Sequence, residues 1–195
     1  MKGERVIAYI DGFNLYFGLK EKGWRCYYWI DIHLLCQNLL RSPQHLIQVK
    51  YFTSRIKSPP DKKKRQSTFL EALKTTRGII PWYGIYQTKP VPCEKCSHIN
   101  NIPEEKMTDV QISSEMVSDA HLNKYDTALL MTGDRDLVPA IEKVRADFPK
   151  KRVVVDENSE LILGVKIIDN DLIYELNLKN SLDQLNKHII DQYDN

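Results

Sequence analysis

The feature that most constrains the fold is a short apolar run followed at once by an acidic turn. Residues 6–10 are uninterruptedly apolar, which is typical of a central strand buried on both faces of a sheet. Asp11 follows directly, Gly12 supplies a loose backbone, and a helical stripe begins at Leu15. Because ligands of open α/β sheets gather at the carboxyl ends of the strands, Asp11 is placed for chemistry. The alternative at this point is a plain turn, since Asp-Gly is a common turn dipeptide.

A second stretch, residues 132–136, favours a site over a plain turn. It follows another predicted strand and brings Asp134 and Asp136 to the end of that strand. Asp109 begins a predicted helix and is in line with its apolar stripe, so we expect this carboxylate to face the core. A carboxylate that faces inward needs a partner. The apolar stripe consists of Ile112, Met116 and Ala120.

Two of these carboxylates also have interpretations that need no metal. A helix N-terminus is a favourable place for Asp109, and Asp136 fits the N-cap of the next helix. If the carboxylates converge instead, repulsion forces them to hold protons or to share a cation. Oxygen ligands at this density suit Mg²⁺ or Mn²⁺, which activate a water and neutralise a phosphodiester. Asn14 and Thr132 can hold a water or a phosphate oxygen, and Glu105 is a weaker member of the set.

The order of the predicted elements indicates the fold class. Predicted strands cover residues 6–10, 45–54, 79–87, 127–131, 153–155 and 172–176. Predicted helices run from the Asp11 turn to residue 22, over 31–41 and 60–76, from 109, from 137, over 159–167 and from 181. Thr108 and Gln111 fit a capping box, and residues 88–104 have the pattern of a loop insertion. Strands that alternate with helices predict an α/β sandwich with a central, mainly parallel sheet.

Composition narrows the class of protein. With 195 residues the chain is long enough for one sizeable core but short for two full domains. Its net charge of +2 is too small to indicate nucleic-acid binding by itself. The sequence contains no apolar run of the ~18 residues that a membrane span needs, and residues 1–5 do not resemble a signal peptide. We therefore expect no membrane partner and a cytoplasmic location, with the cysteines reduced or bound to metal.

The densest basic segment is the run formed by Lys62, Lys63, Lys64 and Arg65. It begins a predicted helix, where cations oppose the helix dipole, so helix stability does not explain it. One interpretation is a surface that follows the phosphates of a nucleic acid beside the acidic cleft. The other is a solvated charged face, and the sequence leaves both open.

Cys93 and Cys96 have the spacing of a zinc knuckle, and His98 lies close to them in sequence. A closed structural zinc site needs four ligands, and the chain has no second Cys-x-x-Cys. Cys26, Cys36 or a second subunit of a homo-oligomer are the candidates to complete such a site. The alternative is a pair of loop thiols without metal.

Three segments together resemble the signatures of the NYN domain family, in the LabA-like branch of the PIN-like nuclease superfamily. They are residues 11–14, 105–110 and 132–139, and the resemblance extends over about residues 4–177. It implies a Rossmann-like, PIN-like three-layer sandwich. The domain would cover residues 1–178, with the cysteine-containing insertion near 88–104, and residues 179–195 would form a helical tail.

The resemblance also implies a function, namely a metal-dependent ribonuclease that uses Mg²⁺ or Mn²⁺ and cuts single-stranded RNA. The choice of RNA over DNA comes from the family and not from the residues. By the same match, the metal positions fall on Asp11, Asp109, Asp134 and Asp136, and the polar active-site position falls on Asn14.

Two other functions share part of this pattern. A haloacid-dehalogenase-like phosphatase also has an aspartate after its first strand and a later Gly-Asp. Its first motif is typically Asp-x-Asp, however, and Phe13 occupies the third position here. The second rival is an RNA-binding module that keeps a residual metal site, and the presence of all four aspartates argues weakly against it.

Overall fold

A seven-stranded sheet runs through the centre of the structure, a computed structural model that describes residues 3–96, 98–155, 164–169 and 172–177. The strands are β1 (Glu4–Asp11), β2 (Gln44–Thr53), β3 (Ile79–Tyr83), β4 (Ile85–Pro92), β5 (Ile99–Lys106), β6 (Thr127–Met131), β7 (Arg152–Val155), β8 (Gly164–Asp169) and β9 (Leu172–Asn177). The large sheet has the order β3-β2-β1-β6-β7-β8-β9, and β4 pairs with β5 in a separate two-stranded sheet. The pairs from β3 to β7 are parallel, whereas β8 and β9 join in antiparallel fashion.

Within the described residues, the helices between the strands are α1 (Gly12–Glu21), α2 (Ile32–Asn38), α3 (Pro60–Thr75), α4 (Thr108–His121) and α5 (Val138–Asp147). Successive side chains of a strand point to opposite faces, so β1 contributes to two cores. Val6 and Ala8 pack in a cluster with buried residues of α1, α2 and α3. Ile7 and Tyr9 pack in a second cluster with residues of α4 and α5. The predicted α/β sandwich with a mainly parallel sheet is therefore confirmed.

The prediction for residues 79–104 was wrong in detail. The third strand of the large sheet ends at Tyr83, and the chain turns away at Gly84 into the β4–β5 hairpin. A Cβ atom at Gly84 would lie 2.7 Å from the carbonyl oxygen of Lys106, so only glycine permits this close approach. Residues 88–104 therefore form most of an antiparallel hairpin and are not a loop.

The helix predicted over residues 159–167 was also wrong where the structure describes it. Residues 164–169 form β8, which pairs with β9 along its length. Val165, Ile167 and Ile168 are β-branched and suit a strand once partner strands are present. The strand predicted at 172–176 is confirmed as β9, at the edge of the sheet.

The second helix begins at its predicted cap but ends earlier than predicted. Asp31 is the predicted N-cap and accepts a hydrogen bond from the Leu34 amide, but α2 ends at Asn38 rather than at residue 41. The helical tail predicted from residue 181, and the domain boundary at 178, lie outside the described residues. Among the helices that the structure describes, none has the length and apolarity to cross a membrane.

Candidate functional site

The site lies at the carboxyl edge of the large sheet, which we call the site edge. Asp11 is the last residue of β1, and the neighbouring residue of β6 is Met131, which pairs with Ile10. The stretch that begins at Thr132 therefore leaves the sheet beside Asp11. Because these strands are parallel, two segments that are distant in sequence emerge together, as the sequence predicted.

Asp11 is buried, with 2% of its surface exposed, and it caps α1. Its Oδ1 accepts hydrogen bonds from the backbone amides of Phe13 and Asn14, each at 3.0 Å. Its Oδ2 accepts a hydrogen bond from the side-chain amide of Asn14. The amide oxygen of Asn14 in turn accepts one from the Gly133 backbone at 3.3 Å. Asn14 thus fixes the orientation of Asp11 and links the first acidic segment to the third.

The third segment folds on itself through side-chain acceptors. The hydroxyl oxygen of Thr132 accepts a hydrogen bond from the Asp134 amide at 3.0 Å. Asp134 Oδ1 accepts one from the Asp136 amide at 2.9 Å and so caps the single turn Arg135–Leu137. The interpretation of Asp136 as the N-cap of the next helix was therefore wrong, since Leu137 precedes α5 and Asp134 caps the turn before it.

Asp109 is partly buried in the first turn of α4, and the stripe of Ile112, Met116 and Ala120 is buried as predicted. The capping box predicted from Thr108 was wrong. The residue before the helix is Met107, with a φ of 76°, and the Thr108 hydroxyl donates to Glu105 at 2.5 Å. Gln111 donates its side-chain amide to the backbone oxygen of Tyr83 at 3.1 Å instead.

The aspartates of the three segments act on one another electrostatically. Burial raises the pKa of Asp11 and the Asp134 carboxylate adds to this, while hydrogen bonds from Asn14 and Phe13 oppose it. Burial also raises the pKa of Asp109, and the carboxylates of Asp134, Asp11 and Asp136 raise it further. Carboxylates that lie far apart would not do this. The structure therefore brings the four predicted aspartates to one edge.

Glu105 also belongs to this group. Its pKa is raised by burial and then by Asp11 and Asp109, against the hydrogen bond from Thr108. Tyr51 of β2 is near the same group, since burial followed by the carboxylates of Asp11 and Glu105 raises the pKa of its hydroxyl. The sequence analysis gave Glu105 little weight and did not single out Tyr51. The position of Tyr51 near the end of the second parallel strand was the available signal.

Ser54 is a second residue that the sequence analysis missed. It follows β2 directly, is 0% exposed, and lies close enough to Glu105 to lower the pKa of that carboxyl. Its hydroxyl makes no hydrogen bond of ordinary geometry within the part of the chain that the structure describes. A buried hydroxyl without a geometric partner is uncommon, and this one lies beside the acidic group.

The donor set fits Mg²⁺ or Mn²⁺ in its chemistry, since it consists of carboxylate and amide oxygens. Over the described ranges, the structure contains no group of three or more His, Cys, Asp or Glu side chains that could hold a metal ion. Mg²⁺ is usually bound through one or two carboxylates, with waters and substrate phosphates completing its shell. Two protein carboxylates are therefore enough for an ion of this kind.

The basic run lies in the first turns of α3, which follows the loop from the carboxyl end of β2. Lys62, Lys63, Lys64 and Arg65 are all exposed, and α3 packs on the sheet through Leu70 and Leu73 further along. These four side chains thus face water on the helix end nearest the site edge. Their contact with phosphate stays a prediction.

The cysteine pair lies at the tip of the β4–β5 hairpin, where the Cys93 amide donates to the backbone oxygen of His98 at 2.8 Å. Cys36 is buried in the core beneath α2 and does not join the pair. Within the described ranges, Cys93 and Cys96 have no third ligand that could complete a metal site. Among the described residues, neither Cys26 nor Cys36 therefore completes such a site, and a ligand from a second subunit stays a prediction.

Comparisons with known proteins give a family and two relatives. The family model of the NYN domain matches residues 5–160. The chain is 27% identical over 180 residues to the 6-hydroxy-3-succinoylpyridine 3-monooxygenase HspA of Pseudomonas putida (strain DSM 28022 / S16). That match covers 73% of this chain and 56% of the relative, so the chain spans little more than half of that protein.

One solved structure also matches. It is a protein of unknown function from Vibrio parahaemolyticus RIMD 2210633, with a TM-score of 0.49 and 15% identity. The match covers 78% of this chain and 82% of that one.

Proposed function

The chain belongs to the NYN domain family, and from this premise we propose that it is a metal-dependent ribonuclease that hydrolyses phosphodiester bonds of RNA at the site edge. The observation that carries the proposal is that Asp11 and the segment from Thr132 leave neighbouring parallel strands side by side, where the Gly133 amide donates to Asn14 at 3.3 Å. In agreement with this, burial and then the carboxylates of Asp134, Asp11 and Asp136 raise the pKa of Asp109. A group of carboxylates at the carboxyl edge of a parallel sheet is suited to bind a cation and a phosphodiester together.

The residues have distinct roles in this proposal. Two of the carboxylates of Asp11, Asp109, Asp134 and Asp136 would hold Mg²⁺ or Mn²⁺, with waters and substrate phosphate completing its shell. Asn14 keeps the Asp11 carboxylate in one orientation. When bound, the ion supplies an activated water and neutralises charge on the phosphodiester. The Thr132 hydroxyl accepts from a backbone amide and keeps its own hydrogen for a phosphate oxygen.

The rival functions find less support. A phosphatase of the haloacid-dehalogenase type needs an acid two residues after the first aspartate to protonate the leaving group, and Phe13 cannot do so. The monooxygenase activity appears in the name of a relative, and the match covers 56% of that relative. The activity is therefore a property of that protein. An RNA-binding module without turnover is the remaining rival, and the assay below separates it.

The test is endonucleolytic cleavage of unstructured RNA by purified protein. We expect cleavage with Mn²⁺ or Mg²⁺, loss of cleavage with a chelator, and a loss of at least about a hundredfold in Asp11→Asn. Asn keeps the capping ability at this position, so the variant should fold. Asp11→Asn and Asp134→Asn should each also lose Mn²⁺ binding by calorimetry, and unchanged affinity in both would eliminate this metal site.

The same preparation should be given a small phosphomonoester, with Asp11→Asn as the control for contamination. Turnover of the monoester that disappears in the variant, with RNA untouched, would assign the protein to the phosphatases. Inertness toward both substrates together with tight RNA binding would favour the module without turnover.

We also propose zinc at Cys93 and Cys96, shared between two subunits of a homo-oligomer, because the described chain offers no further ligand. Elemental analysis of purified protein should find about half a zinc per chain, since four thiolates complete one closed site. Cys93→Ser should remove the metal and lower the melting temperature. Metal-free protein of unchanged stability would identify the pair as loop thiols.

A further inference from the structure

The first two turns of α1 present aromatic rings to solvent next to the acidic site. Phe17 is 52% exposed and Tyr16 is 38% exposed, while Phe13 is partly buried. The rings of Phe13 and Phe17 are stacked, with centroids 6.0 Å apart and planes at 26°. The ammonium of Lys20 lies 5.8 Å from the centre of the Phe17 ring. The surface therefore combines aromatic faces with one cation.

The packing of α1 does not require these rings. The helix attaches to the sheet through Leu15 and Leu19, which are 6% and 3% exposed. Phe13, Phe17 and Lys20 are spaced by four and three residues, so they share a different face of the helix. A helix face that is not needed for the core and yet carries exposed rings indicates an interaction surface.

The stripe begins at the site itself. The Phe13 amide donates to the Asp11 carboxylate at 3.0 Å, so its ring belongs to the residue two positions after the N-cap. From Phe13 to Lys20 the helix rises roughly 10 Å. This length accommodates two or three stacked bases, which puts a bound strand in line with the carboxylates.

The size and charge of the surface favour single-stranded nucleic acid over a second copy of the chain. A fully exposed ring offers about 200 Å², and three partly exposed rings therefore offer less than about 300 Å². A stable protein interface needs roughly 800 Å² from each partner. The neighbouring carboxylates repel the phosphates of a nucleic acid. Stacking of its uncharged bases on the rings can therefore supply affinity that electrostatic attraction does not supply here.

We propose that Phe13, Tyr16 and Phe17 form a stacking platform for the unpaired bases of single-stranded RNA that enters the acidic site, with Lys20 beside a phosphate. The proposal rests on the ribonuclease function above and adds to it the means by which bases are held. Tyr16 supports the platform from the side, because its ring meets that of Phe17 edge-on at 5.4 Å and that of Tyr28 at 5.2 Å.

The experiment measures affinity for a fluorescent oligoadenylate and for a matched ribose-phosphate strand without bases, in chelator so that the strands stay intact. Phe17→Leu removes the ring but keeps apolar character, and Phe17→Tyr keeps the ring. Leu122→Ala is the matched control. Leu122 is 58% exposed and follows the C-terminal end of α4, whereas the acidic site lies at the N-terminal end of that helix. All four proteins should share one melting temperature, since the altered side chains are exposed.

We expect Phe17→Leu to bind oligoadenylate at least about fivefold more weakly than wild type, with Phe17→Tyr and Leu122→Ala unchanged. On the strand without bases, Phe17→Leu should equal wild type. The salt dependence of binding should keep its slope, because stacking releases no counterions.

Three results would overturn the platform. Equal binding of oligoadenylate by wild type and Phe17→Leu overturns the platform alone, provided that wild type binds and cuts RNA. A wild-type protein that neither binds nor cuts RNA overturns the platform and the ribonuclease function together. A dimer in sedimentation that is lost in Phe17→Ser would assign the surface to a second copy of the chain.

Discussion

The protein contains two clusters of carboxylates that the fold treats in opposite ways. At the site edge, burial and neighbouring carboxylates raise the pKa values of Asp11 and Asp109. Beneath α4, burial also acts to raise the pKa of Asp119, but hydrogen bonds from Lys50, Tyr9 and Lys124 outweigh it and the pKa is lowered. The difference lies in the neighbouring charges, because Asp109 has other carboxylates near it whereas Asp119 is bound by the ammonium groups of Lys50 and Lys124.

The cluster beneath α4, which we call the Lys50 network, is closed within the fold. The ammonium of Lys50, itself 4% exposed, binds Glu115 at 2.6 Å and also binds Asp119. Asp119 further accepts from the Tyr9 hydroxyl at 2.7 Å and pairs with Lys124 at 3.0 Å. Each charge of this network finds its partner in the chain itself.

The carboxylates of the Lys50 network are structural, whereas those at the site edge have other acids as their neighbours. The Lys50 network fastens the middle of α4 to β1 and β2, and the first turn of the same helix presents Asp109 to the site edge. A carboxylate with raised pKa and acidic neighbours gains from an added cation, whereas a satisfied one does not. Four predictions test this difference, from the largest expected effect to the smallest.

The largest effect is expected from Lys50→Met, which breaks the Lys50 network. It leaves Asp119 buried with only Tyr9 and Lys124, so we expect a loss of about 2–3 kcal/mol in the free energy of unfolding. Urea denaturation measures this loss. Lys50→Met combined with Asp119→Asn should recover part of it, because the buried carboxylate becomes a neutral amide that still accepts from the Tyr9 hydroxyl. A single variant as stable as wild type would mean that the network contributes nothing.

The next effect has the opposite sign. Asp109→Asn should stabilise the metal-free protein at pH 7 by about 0.5 kcal/mol, because it relieves repulsion from neighbouring carboxylates in a partly exposed place. The matched control is Asp147→Asn, which removes an acid that is paired with Lys143 at 2.7 Å on the surface of α5. Destabilisation of Asp109→Asn in chelator would show that its carboxylate is satisfied within the chain.

The two clusters should also respond to pH in opposite directions. A raised pKa, as at Asp109, gives stability that is complete below the unfolded pKa of about 3.9 and is lost as the pH rises through the folded value. A lowered pKa, as at Asp119, gives stability that is present above the unfolded pKa and is lost as the pH falls through the folded value. The gain from Asp109→Asn should therefore disappear below about pH 4, where that carboxyl is protonated in both states.

The smallest effect on stability is expected from the basic run, whose cations face water. Changing Lys62, Lys63 and Lys64 to Ala should alter the free energy of unfolding by less than about 0.5 kcal/mol. It should weaken binding of single-stranded RNA. The slope of the logarithm of the binding constant against the logarithm of the salt concentration should become shallower by up to about 0.7 for each lost phosphate contact. If the triple variant and the wild type have the same salt slope, the basic run is a solvated face that contacts no phosphate.

Local patterns in the sequence determined the central elements and the acidic residues of the candidate site. The apolar run at residues 6–10 specifies a strand buried on both faces, and the strand at 127–131 has the same bounds in the structure. Asp11 ends the first of these strands and Asp134 comes three residues after the last residue of the second, so their place at one edge of a parallel sheet was predictable. The stripe on α4 predicted in the same way that Asp109 faces inward.

The tertiary structure alone decided the features that depend on residues distant in sequence. The β4–β5 hairpin and β8 form only because partner strands are present. Strand propensity depends on these neighbours, so the local sequence does not predict such strands with certainty. Glu105 joins the acidic group because the hairpin returns it to Asp11, whereas Asp119 on the same helix as Asp109 is paired with Lys50, which reaches it from β2. Charge interactions follow distance in space, which a one-dimensional pattern does not contain.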